Sequence, residues 1–228
     1  MDAAAAITAE IATLPRRDTA EVRAVRRRWT RSLKAASAGE VLATAASLEA
    51  RASQTGKWVA YELVRYHPGA FAEITEGQVA DYAGRCASWY AVDAFGTILS
   101  GPLWAKGKVS DALVEAWSTS QNRWLRRSAL VATVGLNAKS SGGPGDAGRT
   151  LAVCRTLAAD DDDMVEKALS WALRELSKRD RPAVETFMGE MAESLPARVK
   201  REVSNKLTTG LKTPGAGRGG NRGMVTGA

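Results

Sequence analysis

Asp93 stands four residues after Trp89 in the run Ser88-Trp89-Tyr90-Ala91-Val92-Asp93-Ala94-Phe95-Gly96. The run contains no proline and reads as a helix, and positions four apart on a helix share a face. An indole plane therefore lies beside a carboxylate. A fixed carboxylate can stabilise a cation that develops next to it and can orient water, and an indole face attracts cations. Two later segments carry complementary pairs, Trp124 with Arg127 and Trp171 with Arg174. A guanidinium can hold a phosphate through two parallel hydrogen bonds. The expectation is that three helices line one groove, and that the groove holds DNA.

Helical geometry sharpens this for the third segment. At about 100° per residue, Val165, Ala168, Leu169, Ala172 and Leu176 fall on one side. Trp171 lies well off that apolar stripe and shares its face with Lys167, Arg174 and Lys178. Core packing does not place a large aromatic on a basic face. Such a face suits something flat and anionic.

These residues need elements that bring them together. Trp89 and Arg127 are 38 residues apart, and Arg127 and Trp171 are 44 apart. HEAT-type helical hairpins repeat at about 40 to 47 residues, and in such stacks every second helix lines the concave face. The expected fold is therefore all-α, a HEAT-like helical-repeat solenoid over residues 1–209, with a concave DNA-binding face. Alanine, leucine, arginine and glutamate dominate and strand signals are weak. Helices are predicted over Ala3 to Leu14, from Asp18 or Thr19 through Leu33, after a Ser37–Glu40 capping box, over Thr55 to Tyr66, Gly69 to Ile74, Glu76 to Arg85, Ser110 to Ser118, Asn122 to Leu136, Asp146 to Ala158, Asp162 to Lys178, Arg181 to Leu195 and Ala197 to Thr208. On the second of these, Val22, Val25, Trp29 and Leu33 form an apolar stripe, and Arg23, Arg27, Arg31 and Lys34 form a basic one. Ala138 to Gly145, rich in glycine and serine, reads as a flexible loop. Residues 210–228 read as a disordered, glycine-rich basic tail carrying Lys212, Arg218 and Arg222.

Composition narrows the partners. The chain of 228 residues has a net charge of +7, a pI near 9.6 and 45% hydrophobic residues. That balance suits a polyanion, nucleic acid or membrane surface. No apolar run of about eighteen residues exists, so no membrane span is expected. Met1-Asp2-Ala3 lacks the basic start of a signal peptide, which points to the cytoplasm. Cys86 and Cys154 read as buried thiols of a reducing compartment. With one histidine, His67, a His-rich metal site is excluded. Asp160 to Asp163 resembles a metal-binding run, but consecutive carboxylates before a helix usually cap it.

The three segments Trp89-x-x-x-Asp93, Asn122-Arg123-Trp124-Leu125-Arg126-Arg127-Ser128-Ala129 and Lys167-Ala168-Leu169-Ser170-Trp171-Ala172-Leu173-Arg174-Glu175 resemble the DNA alkylation repair family, the HEAT-like glycosylases of the AlkD type. The resemblance runs from roughly Thr19 to Leu207, and Thr19-Ala20-Glu21-Val22-Arg23 resembles the family's N-terminal signature. It implies hydrolysis of the N-glycosidic bond of cationic N3- or N7-alkylated purines in duplex DNA, without metal or organic cofactor, by a monomer. It implies a catalytic Asp93 flanked by Trp89 and Trp171. It also implies a DNA-holding role for Arg127, and Arg174 matches an arginine that often follows the second tryptophan by one turn. By their charge, the stripe Arg23, Arg27, Arg31 and Lys34, with Lys167, Arg174 and Lys178, would supply salt-sensitive DNA-backbone affinity. The family is associated with catalysis on a base left in the stack, which would tolerate bulky adducts. No strong sign of an enclosed pocket is visible in the sequence.

Other readings stand beside this one. Asp93 alone could be a solvated helix carboxylate, and each tryptophan alone could be core. Trp29, Trp58, Trp104, Trp117 and Trp124 are read as core or rim. Arg126 is read as structural pairing and His67 as a helix-end residue. The Arg23 stripe could be a solvated face. As a whole, the chain could be a non-catalytic DNA-binding module of the same architecture, or a helical scaffold for an acidic protein.

Overall fold

The computed structural model describes residues 2–16, 18–51 and 53–214, and the described residues form helices and turns without a strand. The predicted tail therefore lies, from residue 215 onward, outside the described residues. The helices are α1 (Ala3–Ala12), α2 (Thr19–Ser32), α3 (Ala38–Ala50), α4 (Gln54–Tyr66), α5 (Pro68–Glu73), α6 (Glu76–Gly84), α7 (Trp89–Ala94), α8 (Gly101–Ala105), α9 (Asp111–Ser118), α10 (Arg123–Asn137), α11 (Ala147–Thr156), α12 (Asp163–Leu176), α13 (Arg181–Glu190) and α14 (Ala197–Thr209). A π-helical turn, Phe95–Ser100, joins α7 to α8 without a break in helical backbone.

Local chemistry explains where these helices start. Side-chain oxygens of Asp18, Ser53, Ser88, Ser110, Asn122, Asp146 and Asp162 accept from the first free N–H groups of α2, α4, α7, α9, α10, α11 and α12. The Ser37–Glu40 capping box forms as predicted. Pro68 does more than stop α4. It sits in the first turn of α5, where its missing N–H costs nothing, and the His67 side chain caps that helix by accepting from Ala70 N at 3.0 Å. Asp162 caps α12, and Asp160 pairs with Arg126 at 2.6 Å. Arg126 also donates to the carbonyls of Ser120 and Gln121, a structural pairing as expected.

Packing follows the every-second-helix rule. α2, α4, α7 with its π turn, α10, α12 and α14 touch in succession and form one layer. On the other side α1 packs on α3, α3 on α5, and α9 on α11. This is a helical-repeat, all-α fold. The apolar stripe of α12 is buried as predicted, with Val165, Ala168, Leu169, Ala172 and Leu176 at 0% exposure, while Trp171 is only partly covered.

The contact that positions the site is the one between the α7–α8 helix and α10. Phe95 packs edge-on against Tyr61 at 5.6 Å and against Trp117 at 5.9 Å, fixing the helix to the core. Gly96 and Gly135 then let the two backbones approach. A Cβ on Gly96 would lie 2.6 Å from Val131 Cγ1, and one on Gly135 would lie 2.5 Å from the Gly96 carbonyl oxygen. Only glycine fits such an approach.

Candidate active site

Asp93 sits in the last turn of α7, immediately before the π turn. The Thr97 hydroxyl donates to the Asp93 carbonyl at 2.6 Å. π turns inside α-helices are frequent at functional sites because they shift which side chains share a face. Here Trp89, Tyr90, Asp93 and Ala94 of α7 and Thr97 and Ile98 of the π turn all face one cleft.

The cleft has a volume of about 570 Å³ and runs along the inner layer. Thr19 and Arg23 enter it from α2, Trp58, Glu62, Arg65 and Tyr66 from α4, Ser140 from the turn after α10, and Trp171 from α12. Thus Trp89, Asp93 and Trp171, nominated from the sequence, converge on one concavity. Its size is within the range of ligand sites, and it is open to solvent, as the sequence's open groove led one to expect.

Arg127 lies behind the acid and does not line the cleft. Its Nε donates to Asp93 Oδ1 at 3.0 Å, and its Nη2 donates to Oδ1 at 2.7 Å and to Oδ2 at 3.0 Å. Nη1 donates to the Met164 carbonyl at the start of α12. The residue is 5% exposed. Arg127 therefore makes a two-pronged grip on Asp93. The physical reason is that burial leaves a guanidinium no solvent, and the nearest anion is the carboxylate. Burial pushes the Asp93 carboxyl above its ordinary value, against the pull of the Arg127 charge and hydrogen bonds.

Apart from Arg23, the opposite wall was not foreseen as part of the site. Arg23 stacks over the Trp58 ring at 5.6 Å, and Arg26 stacks over Tyr66 at 4.5 Å while its Nε pairs with Glu62. Trp89 and Tyr90 meet edge-on at 6.0 Å. Trp89 is 54% exposed and Tyr66 53%, unusual for aromatics of a well-packed helical protein. Burial raises the Tyr90 hydroxyl above its ordinary value, with Arg23 opposing and Glu62 reinforcing.

The remaining expected contacts are placed elsewhere. Arg23 lines the cleft, but Arg27, Lys167, Arg174 and Lys178 do not. Arg174 donates to Ser170 Oγ at 3.1 Å and lies 3.9 Å from Glu202. Lys167 pairs with Asp163 and Lys178 with Glu175 on their own helix. Trp104 and Trp117 are core, and the Trp29 and Trp104 indoles are tied to Glu10 and Asp111. Both cysteines are buried and unbridged. Among the described residues no cluster of three His, Cys, Asp or Glu could hold a metal ion, and no helix is long and apolar enough to cross a membrane.

A family model described as DNA alkylation repair enzyme matches residues 18–207. The chain belongs to that family. Every residue that lines the cleft falls inside the matched span. Comparison with curated proteins yields no match. Family membership assigns this repair protein to alkylation damage in DNA, and its cleft offers a desolvated carboxylate flanked by indoles.

Proposed function

We propose that this member of the alkylation repair family is a DNA glycosylase that hydrolyses the N-glycosidic bond of cationic N3- or N7-alkylated purines in duplex DNA. The observation that carries the reading is Asp93, gripped from behind by Arg127 and facing a cleft it shares with Trp89 and Trp171.

The chemistry follows from charge. An alkylated purine already bears a positive charge, so it leaves without a general acid. The barrier is formation of an oxocarbenium-like sugar. A carboxylate held near C1′ stabilises that cation, and two unit charges ~4 Å apart interact by roughly 4 kcal/mol at an effective dielectric of 20. That corresponds to about a thousandfold in rate. The indole faces of Trp89 and Trp171 favour a cationic sugar or base. Arg127 spends no reorganisation energy during the reaction because its hydrogen bonds to Asp93 already exist.

The test compares wild type with Asp93→Asn for release of 7-methyl- or 3-methylpurine from alkylated duplex DNA. Wild type should release base about a thousandfold faster. Equal release would defeat the enzymatic reading. If duplex binding with salt dependence persisted in that case, the chain would be a non-catalytic DNA-binding module.

A further inference from the structure

The segment between α10 and α11 was expected to be a flexible loop, but its backbone is tied on every side. Arg179, just after α12, donates from Nε to the Asn137 carbonyl at 2.9 Å and from Nη2 to the Gly143 carbonyl. Gly143 N donates to the Ala138 carbonyl at 3.0 Å, and Gly145 N to the Leu136 carbonyl at 3.1 Å. The Asn137 amide oxygen accepts from Asp146 N at 3.1 Å. Glycine is required here: Gly142 and Gly145 have φ of +72° and +82°, and Gly143 packs against the Leu136 and Gly135 carbonyls. A short 3₁₀ turn, Lys139–Ser141, forms the tip.

This construction presents two groups, Lys139 and Ser140. Ser140 lines the cleft with Asp93 and Trp171. Lys139 precedes it, and both residues are exposed. Among the described residues neither side chain makes a hydrogen bond or ion pair, whereas Lys167 and Lys178 are both paired. The pinned backbone holds Ser140 at the cleft with the exposed Lys139 next to it in sequence, and an ammonium beside a hydroxyl suits a phosphate oxygen.

We propose that the Arg179-pinned turn carrying Lys139 and Ser140 is a phosphodiester-binding site that seats the backbone of the DNA strand whose sugar faces Asp93. This rests on the functional reading above for the identity of the strand. Lys139 and Ser140 would bind the phosphate, and Arg179 is a positioning residue. The site would add a phosphate contact at the cleft, which Arg127 does not line.

The experiment measures affinity for an undamaged and a 7-methylguanine-containing duplex as a function of salt, with base release alongside. Each neutralised phosphate contributes a slope of about −0.9 in log K against log salt. Lys139→Met should therefore reduce the slope by about one on both duplexes, so that wild type loses about 3.5-fold more affinity than the variant between 50 and 200 mM salt. Lys139→Arg should restore the slope. Ser140→Ala should weaken binding several-fold without changing the slope. Arg179→Met, which leaves both contact groups present, should raise KM for the lesion duplex several-fold with less change in kcat. Its fold is checked by an unchanged circular dichroism spectrum.

An unchanged slope in Lys139→Met overturns the proposal. So does an Arg179→Met protein that is folded and kinetically unaltered. If wild type binds duplex but releases no base, the glycosylase reading fails while the slope still decides the phosphate site. A wild type that binds no duplex DNA at all overturns both.

Discussion

Asp93 is half of a pair whose other half lies 34 residues later, so the behaviour of the acid is set from behind. Activity in the proposed reaction needs the carboxylate, and burial has raised its pKa above the ordinary 3.8. The acid limb of the pH–rate profile should therefore lie above 3.8, with activity lost as pH falls through it. Arg127→Met removes the one influence that lowers that pKa. The limb should then move to higher pH, and Arg127→Lys should move it less. A limb that stays in place in Arg127→Met would show that the guanidinium does not tune Asp93. The stability sign is the reverse: a raised carboxyl disfavours the fold above its pKa, and that cost disappears on acidification. Deleting one member of the pair should also cost about 3 kcal/mol by denaturant titration, less whatever solvent at Asp93 screens. At this scale the sequence was partly legible. The i, i+4 placement of Trp89 and Asp93 and the off-stripe position of Trp171 are properties of one helix each, and both residues of the first pair and Trp171 reach the cleft. Trp58, Tyr66 and Tyr90 gave no comparable signal, because aromatics at helical spacing look the same whether they face core or cleft. The grip of Arg127 on Asp93 could not be read either. Its partner depends on how two distant helices dock.

The helices themselves were largely readable from caps and apolar spacing, within a few residues at each end. The exceptions are instructive. The run Ser88 to Gly96 was read as a helix, and the helix continues past it through the π turn into α8. Glycine normally argues against a helix interior, and here two glycines, Gly96 and Gly101, are present because α10 presses against them. Propensity lost to tertiary contact. The glycines of the α10–α11 turn misled in the opposite direction: they suggested freedom, whereas Arg179 and local backbone bonds fix them. The close approach makes a direct prediction. Gly135→Ala should force α10 away from the α7–α8 helix and destabilise by about 1–3 kcal/mol, lowering Tm by several degrees, and should lower kcat for base release more than KM. Gly39→Ala is the control. Nothing lies within 4 Å of its added Cβ and it sits in the first turn of α3, so it should change stability by no more than about 0.5 kcal/mol. Equal Tm for Gly135→Ala and wild type would refute the role given to this contact.

The whole molecule was legible as a class. The spacing of 38 and 44 residues between the marked positions gave the every-second-helix layer, and that layer is what the structure shows. Charge distribution was less legible, because side-chain pairing decides which cations remain for a partner. On α2, Arg23 reaches the cleft, and Arg27 follows it one turn later on the same face, exposed. If the proposed duplex lies along this layer, Arg23→Gln combined with Arg27→Gln should lower the salt slope of duplex binding by about two. Lys167→Gln should lower it less, since that lysine is already engaged by Asp163. An unchanged slope in the α2 double variant would mean that this face is merely solvated. One further consequence belongs to the molecule as a unit. The Arg127 guanidinium grips α7 through Asp93 and α12 through the Met164 carbonyl, so it spans three neighbouring rungs of the stack. Any flexing that changes the curvature of the superhelix must drag this bracket, and with it the aim of the acid. If the proposed duplex bends the scaffold, that bending would be felt at the carboxylate through this bracket.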